Sequence, residues 1–311
     1  IVDAFRGIVH DRSGPAWSNS HIAIGDTNWS HNIFLWGPVF YFCSSFQPQV
    51  HLMALLEAKN VSVTLGKTQV LGGISLSVQS GEWLTIIGPN GSGKSTFLNA
   101  LAGLQNYEGS VSVSGNALSK LTARSRAQLV SYVPQHPIVP LDMLAGDYVL
   151  LGRTPHISAL GVEGKVDLNI VGEILSRLDL EELGSRSMGS LSGGELQRCQ
   201  LARALAQMTP VILLDEPTAA LDLGHQQQAL DLLEELRKER QMTIISSMHD
   251  LTLAGQYSDR LMLFDHGTVV ADGNAVDVIK VELLSGTYSA RIRVIEVDGA
   301  QVVVPRSKES R

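Results

Sequence analysis

Apolar and polar residues alternate clearly in the stretch that follows Leu52. Val61, Val63 and Leu65 fall on every second position, as do Ile74, Leu76 and Val78. A period of two predicts strands with one buried face. Gly66 and the Gly72-Gly73 pair read as turns between them. WLTIIG, ending at Gly88, reads as a further strand, and the four apolar residues in a row that open VILLDEP at Val211 mark a strand of the kind buried on both faces of a parallel sheet. After the first, STFLNALAGL places Phe97, Leu98, Leu101 and Leu104 on one helical face. HQQQALDLLEELRKER turns Leu230, Leu233 and Leu236 inward and a Glu234–Lys238 pair outward. MTIISSMHD is a further strand, and RIRVIEVDGAQVVVP reads as a hairpin closed by Asp298-Gly299 in a type I′ turn. Residues 137–190 are mostly helical, with Gly and Pro punctuation. Strands alternating with helices from residue 81 predict an α/β domain.

The first 52 residues follow neither period, yet the first 46 hold three of the four Trp and five of the seven Phe. Met53 looks like a natural beginning. We read 1–52 as an extension, non-native or poorly ordered, ahead of a domain over 53–290. Within that domain a helical subdomain spans about 137–205, and a hairpin and tail follow over 291–311. The alternative is an accessory segment that uses its aromatic cluster. His21, His31 and Cys43 match no metal-ligand spacing.

Composition narrows the function classes. A 44% hydrophobic, 18% charged chain has ample core for a globular protein. A net charge of −7 and a pI of about 5.7 argue against a general nucleic-acid binder, which needs a basic face. Cys43 and Cys199 form no CxxC pair and no disulfide framework, which fits a reducing compartment. The longest apolar run, Phe34 to Phe46, is broken by Gly37 and Pro38 and is shorter than the roughly 18 residues of a membrane span.

The chemistry begins at Gly88-Pro89-Asn90-Gly91-Ser92-Gly93-Lys94-Ser95-Thr96, which fits GxxxxGK[ST] between a predicted strand and a predicted helix. In such a loop glycine N–H groups wrap phosphates, Lys94 reaches the β- and γ-oxygens, and Ser95 ligates Mg²⁺. Asp215 and Glu216 close the apolar run at Val211, at the strand edge where ligands sit in open α/β sheets. Asp215 is placed to hold the Mg²⁺ shell and Glu216 to polarise an attacking water. Alone, the two could equally be surface carboxylates after a strand, with Pro217 ending the ladder. Gln135 in SYVPQHP and His249 in SSMHDL each follow a predicted strand, so each can reach the same edge. LSGGE, Leu191 to Glu195, opens another helix with a Gly pair, an anion-friendly start.

In this order the motifs GPNGSGKST, Gln135, LSGGE with Gln197-Arg198, LLDEP, Ala-Leu-Asp at 220–222 and His249 resemble the ATP-binding subunits of ABC transporters, over about residues 54–275. The resemblance implies a P-loop NTPase cassette with a mostly parallel core sheet, an antiparallel β edge and a helical subdomain. It implies ATP and Mg²⁺, with Gly88 to Thr96 and Asp222 on nucleotide and Ser95, Gln135 and Asp215 around the metal. Glu216 becomes the base, His249 the switch histidine and Gln135 the sensor of the γ-phosphate that couples to the membrane subunit. Leu191, Ser192, Gly193, Gly194 and Glu195 would close over nucleotide held by the Lys94 of a second copy. The implied partners are that second copy, a membrane permease and, indirectly, a periplasmic or surface binding protein, at the cytoplasmic face of a bacterial membrane. The run VLLGRTPH, Val149 to His156, and the C-terminal hairpin are similar to importers of iron chelates, haem and cobalamin. The resemblance implies an ATPase that powers uptake of an iron-siderophore-type chelate, with a cobalamin or haem importer as the alternative and an exporter ATPase or a soluble ABC ATPase as more distant rivals. Two positions depart from the family: Leu65 stands where an aromatic residue stacks on adenine, and Ala219 where Ser is frequent.

Overall fold

In a computed structural model of the chain, residues 54–158 and 161–307 are described. The extension assigned to 1–52, its His21, His31 and Cys43, and Met53 lie outside them.

The alternating stretches build an antiparallel sheet. Strands β1 (Leu56–Leu65), β2 (Thr68–Val78), β4 (Glu108–Val113) and β5 (Asn116–Ala117) stand in the order β2-β1-β4-β5. Val61, Val63, Ile74, Leu76 and Val78 are buried, as the period of two requires, while Leu65 is exposed where the chain turns at Gly66. Gly72 and Gly73 are not the predicted turn. They lie inside β2, where the pairing register with β1 shifts and Gly73 N–H donates to Ser62 Oγ. Glycine inside a strand marks such irregularities and close backbone approach. The approach is visible here: Gly72 N–H donates to the carbonyl of Gly267 at 3.0 Å.

The apolar runs form the second sheet. Strands β3 (Trp83–Ile87), β6 (Val130–Val133), β7 (Val211–Asp215), β8 (Thr243–Ser247), β9 (Arg260–Asp265) and β10 (Thr268–Gly273) stand in the order β10-β9-β3-β8-β7-β6. All neighbours are parallel except β10 on β9. Every residue of β3, β7 and β8 is buried, because helices and the antiparallel sheet cover both faces. Helix α1 (Lys94–Leu101) packs between the sheets, with Phe97, Leu98 and Leu101 in one cluster with Leu56, Val63, Leu84 and Leu213. Each such side chain contributes about 1.5–3 kcal/mol of burial. Phe97 also meets Phe264 of β9, ring centroids 5.4 Å apart. Leu104 does not join that face. The helix ends at Leu101, Gly103 turns the chain at φ 67°, and Leu104 is 63% exposed.

Between β5 and β7 lie α2 (Ala123–Ala127), α3 (Ala145–Leu150), α4 (Lys165–Arg177) and α5 (Gly193–Ala206), with short 3-10 turns. Then α6 (Leu223–Arg240) buries Leu230, Leu233 and Leu236 and keeps the Glu234–Lys238 pair at 2.9 Å. Following β8 come α7 (Leu251–Tyr257), α8 (Ala275–Val278) and α9 (Val281–Tyr288). The C-terminal strands β11 (Ile292–Val297) and β12 (Ala300–Pro305) form the hairpin, with Asp298 and Gly299 both at positive φ as a type I′ turn needs.

The GRTPH run is a joint between these helices. A Cβ on Gly152 would lie 2.2 Å from the Arg203 carbonyl oxygen, so the turn and α5 pack backbone against backbone. Arg153 is buried. Its guanidinium donates to the carbonyl of Ala206 and to Asp167, each at 2.8 Å. A guanidinium at the last carbonyls of a helix satisfies acceptors that the helix itself leaves open. His156 Nε2 lies 2.8 Å from the carbonyl of Gln207, just past the end of α5.

Candidate nucleotide-binding site

The site forms where β3, β7 and β8 end on one edge. From β3 the chain turns through Gly88–Gly93 into α1, whose N-cap Gly93 carries no side chain to occupy the first-turn N–H groups. Gly88 has φ 148° and its Cβ position lies 2.3 Å from the carbonyl oxygen of Phe264, which leaves room only for hydrogen. Lys94 folds back into the loop it follows. Its Nζ donates to the carbonyls of Gly88 at 2.7 Å and Pro89 at 3.2 Å, and the side chain is nearly buried. Burial pulls its pKa below the ordinary lysine value, opposed by the charges of Glu216 and Asp215. The two carbonyls satisfy a buried ammonium that would otherwise be unpaired. Ser95 and Thr96 are half-buried in the first turn.

At the end of β7, Asp215 is 2% exposed and accepts from Ser247 Oγ at 2.6 Å. Tyr132 on β6 faces its other oxygen at 3.5 Å, and burial with that negative charge pushes the phenol pKa up. Glu216, next along the chain, adopts φ 54° and donates its N–H to the carbonyl and Oγ of Ser247. One carboxylate oxygen accepts from Gln135 Nε2 at 2.5 Å, and the other lies 2.5 Å from His249 Nε2. Gln135, Asp215, Glu216 and His249, from three different strand ends, thus converge beside Lys94.

The remaining candidates stand elsewhere. Ser192 caps α5, accepting from Glu195 N–H at 3.3 Å while Glu195 accepts from Ser192 N–H at 2.7 Å. This capping box leaves the helix-start N–H groups of Gly193 and Gly194 without an intrahelical acceptor. Among the described residues no hydrogen bond or ion pair joins Leu191–Glu195 to Gly88–Thr96. Farther along α5, Cys199 and Leu201 are buried. Asp222 also stays outside the cluster. It caps α6, accepting from His225 N–H at 2.9 Å, and these bonds hold its carboxyl below the usual range. Leu65 is 46% exposed beside the turn at Gly66.

Sequence reading missed Ser247, which holds both acids from β8. Its signal was the Ser246-Ser247 pair interrupting an apolar strand just before His249. It also missed the span of Gln197, whose amide reaches the backbone of Glu216 and Ala220.

The pieces fit a nucleoside triphosphate. A glycine loop closed to any Cβ at Gly88, an uncapped helix start and a buried ammonium resting on replaceable carbonyls form a phosphate cradle. Ser95 and Asp215 carry oxygen donors of the hard kind that Mg²⁺ takes and would suit a cation that keeps waters and phosphates in its shell.

Comparison with known proteins agrees. A family model described as ABC transporter matches residues 71–219. The hemin import ATP-binding protein HmuV of Rhodococcus jostii (strain RHA1) is 40% identical over 254 residues, covering 81% of this chain and 86% of that protein. The iron(3+)-hydroxamate import ATP-binding protein FhuC of Bacillus subtilis (strain 168) is 33% identical over 258 residues, 83% of this chain and 93% of that one. A bacterial ABC transporter cassette solved as a dimer has TM-score 0.66 and 29% identity, covering 71% of this chain and 98% of its own. Identity at this level across most of both chains shows that the protein belongs to the ABC transporter family, among its ATP-hydrolysing subunits.

Proposed function

We propose that this ATPase drives uptake of an iron chelate through a separate membrane permease, as two copies packed head to tail on the cytoplasmic face of the membrane. The observation that carries the ATPase chemistry is the Glu216 carboxylate held between Gln135 and His249 beside Lys94. In this reading Lys94 exchanges the carbonyls of Gly88 and Pro89 for phosphate oxygens, one set of acceptors for another. Glu216 accepts the proton of the attacking water, and His249 and Gln135 hold its two oxygens at a fixed angle until that water is in place. Ser95 and Asp215, with the amide oxygen of Gln135, would hold Mg²⁺. The metal, when bound, offsets phosphate charge.

The pairing of two copies is supported by the separation within one chain. Leu191–Glu195 presents free N–H groups, yet shares no bond with its own phosphate loop. A second copy, reversed, would bring the two together. Among the described residues no helix is long and apolar enough to cross a membrane, so the permease is a separate subunit in this reading. The cassette would run over 53–290, with the extension over 1–52 and the hairpin and tail over 291–311.

The substrate class rests on relatives named for hemin and for iron(3+)-hydroxamate import. With its permease reconstituted in vesicles and a substrate-binding protein added, ATP turnover should rise when that protein is loaded with a ferric hydroxamate or with hemin. Cobalamin should leave it at the basal rate. Stimulation by cobalamin alone would overturn the iron-chelate assignment.

A further inference from the structure

Gln197 lies on α5, five residues after Ser192, and both ends of its amide are engaged by backbone. Nε2 donates to the Glu216 carbonyl at 3.1 Å, and Oε1 accepts from the Ala220 N–H at 2.9 Å. The bonded backbone is unusual. Glu216 is a non-glycine residue at φ 54°, a left-handed conformation that costs an L-residue free energy and persists only where its surroundings hold it. Its N–H is tied to Ser247 on one side and its carbonyl to Gln197 on the other. That backbone turn aims the carboxylate at Gln135 and His249.

The same helix begins with LSGGE. The Cβ position of Gly194 is 3.5 Å from Leu221 Cδ2, so the helix start rests on the turn that Gln197 grips. We infer that Gln197 is a positioning residue for Glu216: it fixes the base of its own site to the helix whose start closes the site of the second copy. This rests on the shared-site reading above. On that reading, any displacement of LSGGE on the partner's nucleotide is carried by α5 to the backbone of Glu216. Two ATP sites would thereby be linked inside each chain by one amide.

The test uses full-length dimers in which one chain carries Glu216→Gln, so that only the other hydrolyses. Gln197→Met, close in size but without either hydrogen bond, is placed on one chain or the other. On the hydrolysing chain it should lower kcat about tenfold to hundredfold, the effect of a misplaced reacting group, with KM for ATP within about twofold. On the non-hydrolysing chain the fall should be at least severalfold smaller. A merely structural role would lower thermal stability and kcat alike from either placement, and that result, or an unchanged kcat on the hydrolysing chain, overturns the proposal. Should Gln197→Met fail to fold, Gln197→Glu keeps the acceptor for Ala220 and removes the donor to Glu216, and it should show the same asymmetry. A control separates the two readings: Gly194→Asp on the non-hydrolysing chain abolishes turnover if sites are shared. If it does not, yet the Gln197 asymmetry persists, the shared site fails and the positioning role stands.

Discussion

Replacing Glu216 by Gln should leave nucleotide binding in place and lower ATP turnover by about 10²–10⁴-fold, the usual loss on removing one well-placed base. The substitution preserves volume in a pocket where Glu216 is only 8% exposed. It leaves the Lys94 cradle and the Ser95 hydroxyl untouched, and it removes the carboxylate that sits between Gln135 and His249 as the proposed proton acceptor. It also removes a negative charge near Lys94, so affinity for an anionic nucleotide should hold or rise. Equilibrium binding beside single-turnover hydrolysis measures both. Turnover within tenfold of wild type would place the base on another residue.

Gly88→Ala should be the most damaging small change in the phosphate loop. The added methyl would lie 2.3 Å from the carbonyl oxygen of Phe264 and 2.9 Å from Ser92 Oγ, at a φ of 148° that disfavours any side chain. Phe264 is fixed within β9, so the loop must give way. Overpacking costs about 1–3 kcal/mol and backbone strain of this kind a similar amount. At roughly 2–4 °C of Tm per kcal/mol for a domain of this size, thermal denaturation should come markedly earlier. Nucleotide affinity should fall as well, because the Gly88 carbonyl helps seat Lys94. Gly91→Ala is the matched comparison, since a Cβ there meets nothing within 4 Å. Equal Tm and equal affinity for the Gly88 variant and wild type would contradict this account of the loop.

The sequence made the fold legible where one physical signal dominated. The unbroken apolar run Val211–Leu214 marked β7 because a strand buried on both faces tolerates little else, and alternation marked β1 and β2. It misled where a local signal had two meanings. The Gly72-Gly73 pair is compatible with a turn or with a strand that another backbone approaches, and only the neighbouring Gly267 decides between them. Leu104 fits the helical period, but Gly103 has already turned the chain. Within the site, Lys94 and the acid pair were readable because each sits in a short contiguous motif. Ser247 and the bridge made by Gln197 were not, because they act on a residue 31 and 19 positions away and the pairing exists only once the strands are side by side. Asp222 could be read only by resemblance, and in the structure it caps α6.

The central claim is that each ATP site is completed by LSGGE from a second chain, and complementation tests it most directly. One chain carries Lys94→Ala with its signature intact, and the other carries Gly194→Asp with its phosphate loop intact. Homodimers of either lack half of both sites and should not occlude ATP. In the mixture, a heterodimer pairs the sound loop of one chain with the sound signature of the other, and ATP trapped in the presence of vanadate should rise toward one per heterodimer. If trapping in mixtures shown to contain heterodimers stays at the level of the separate samples, each signature serves its own chain and the shared site is wrong.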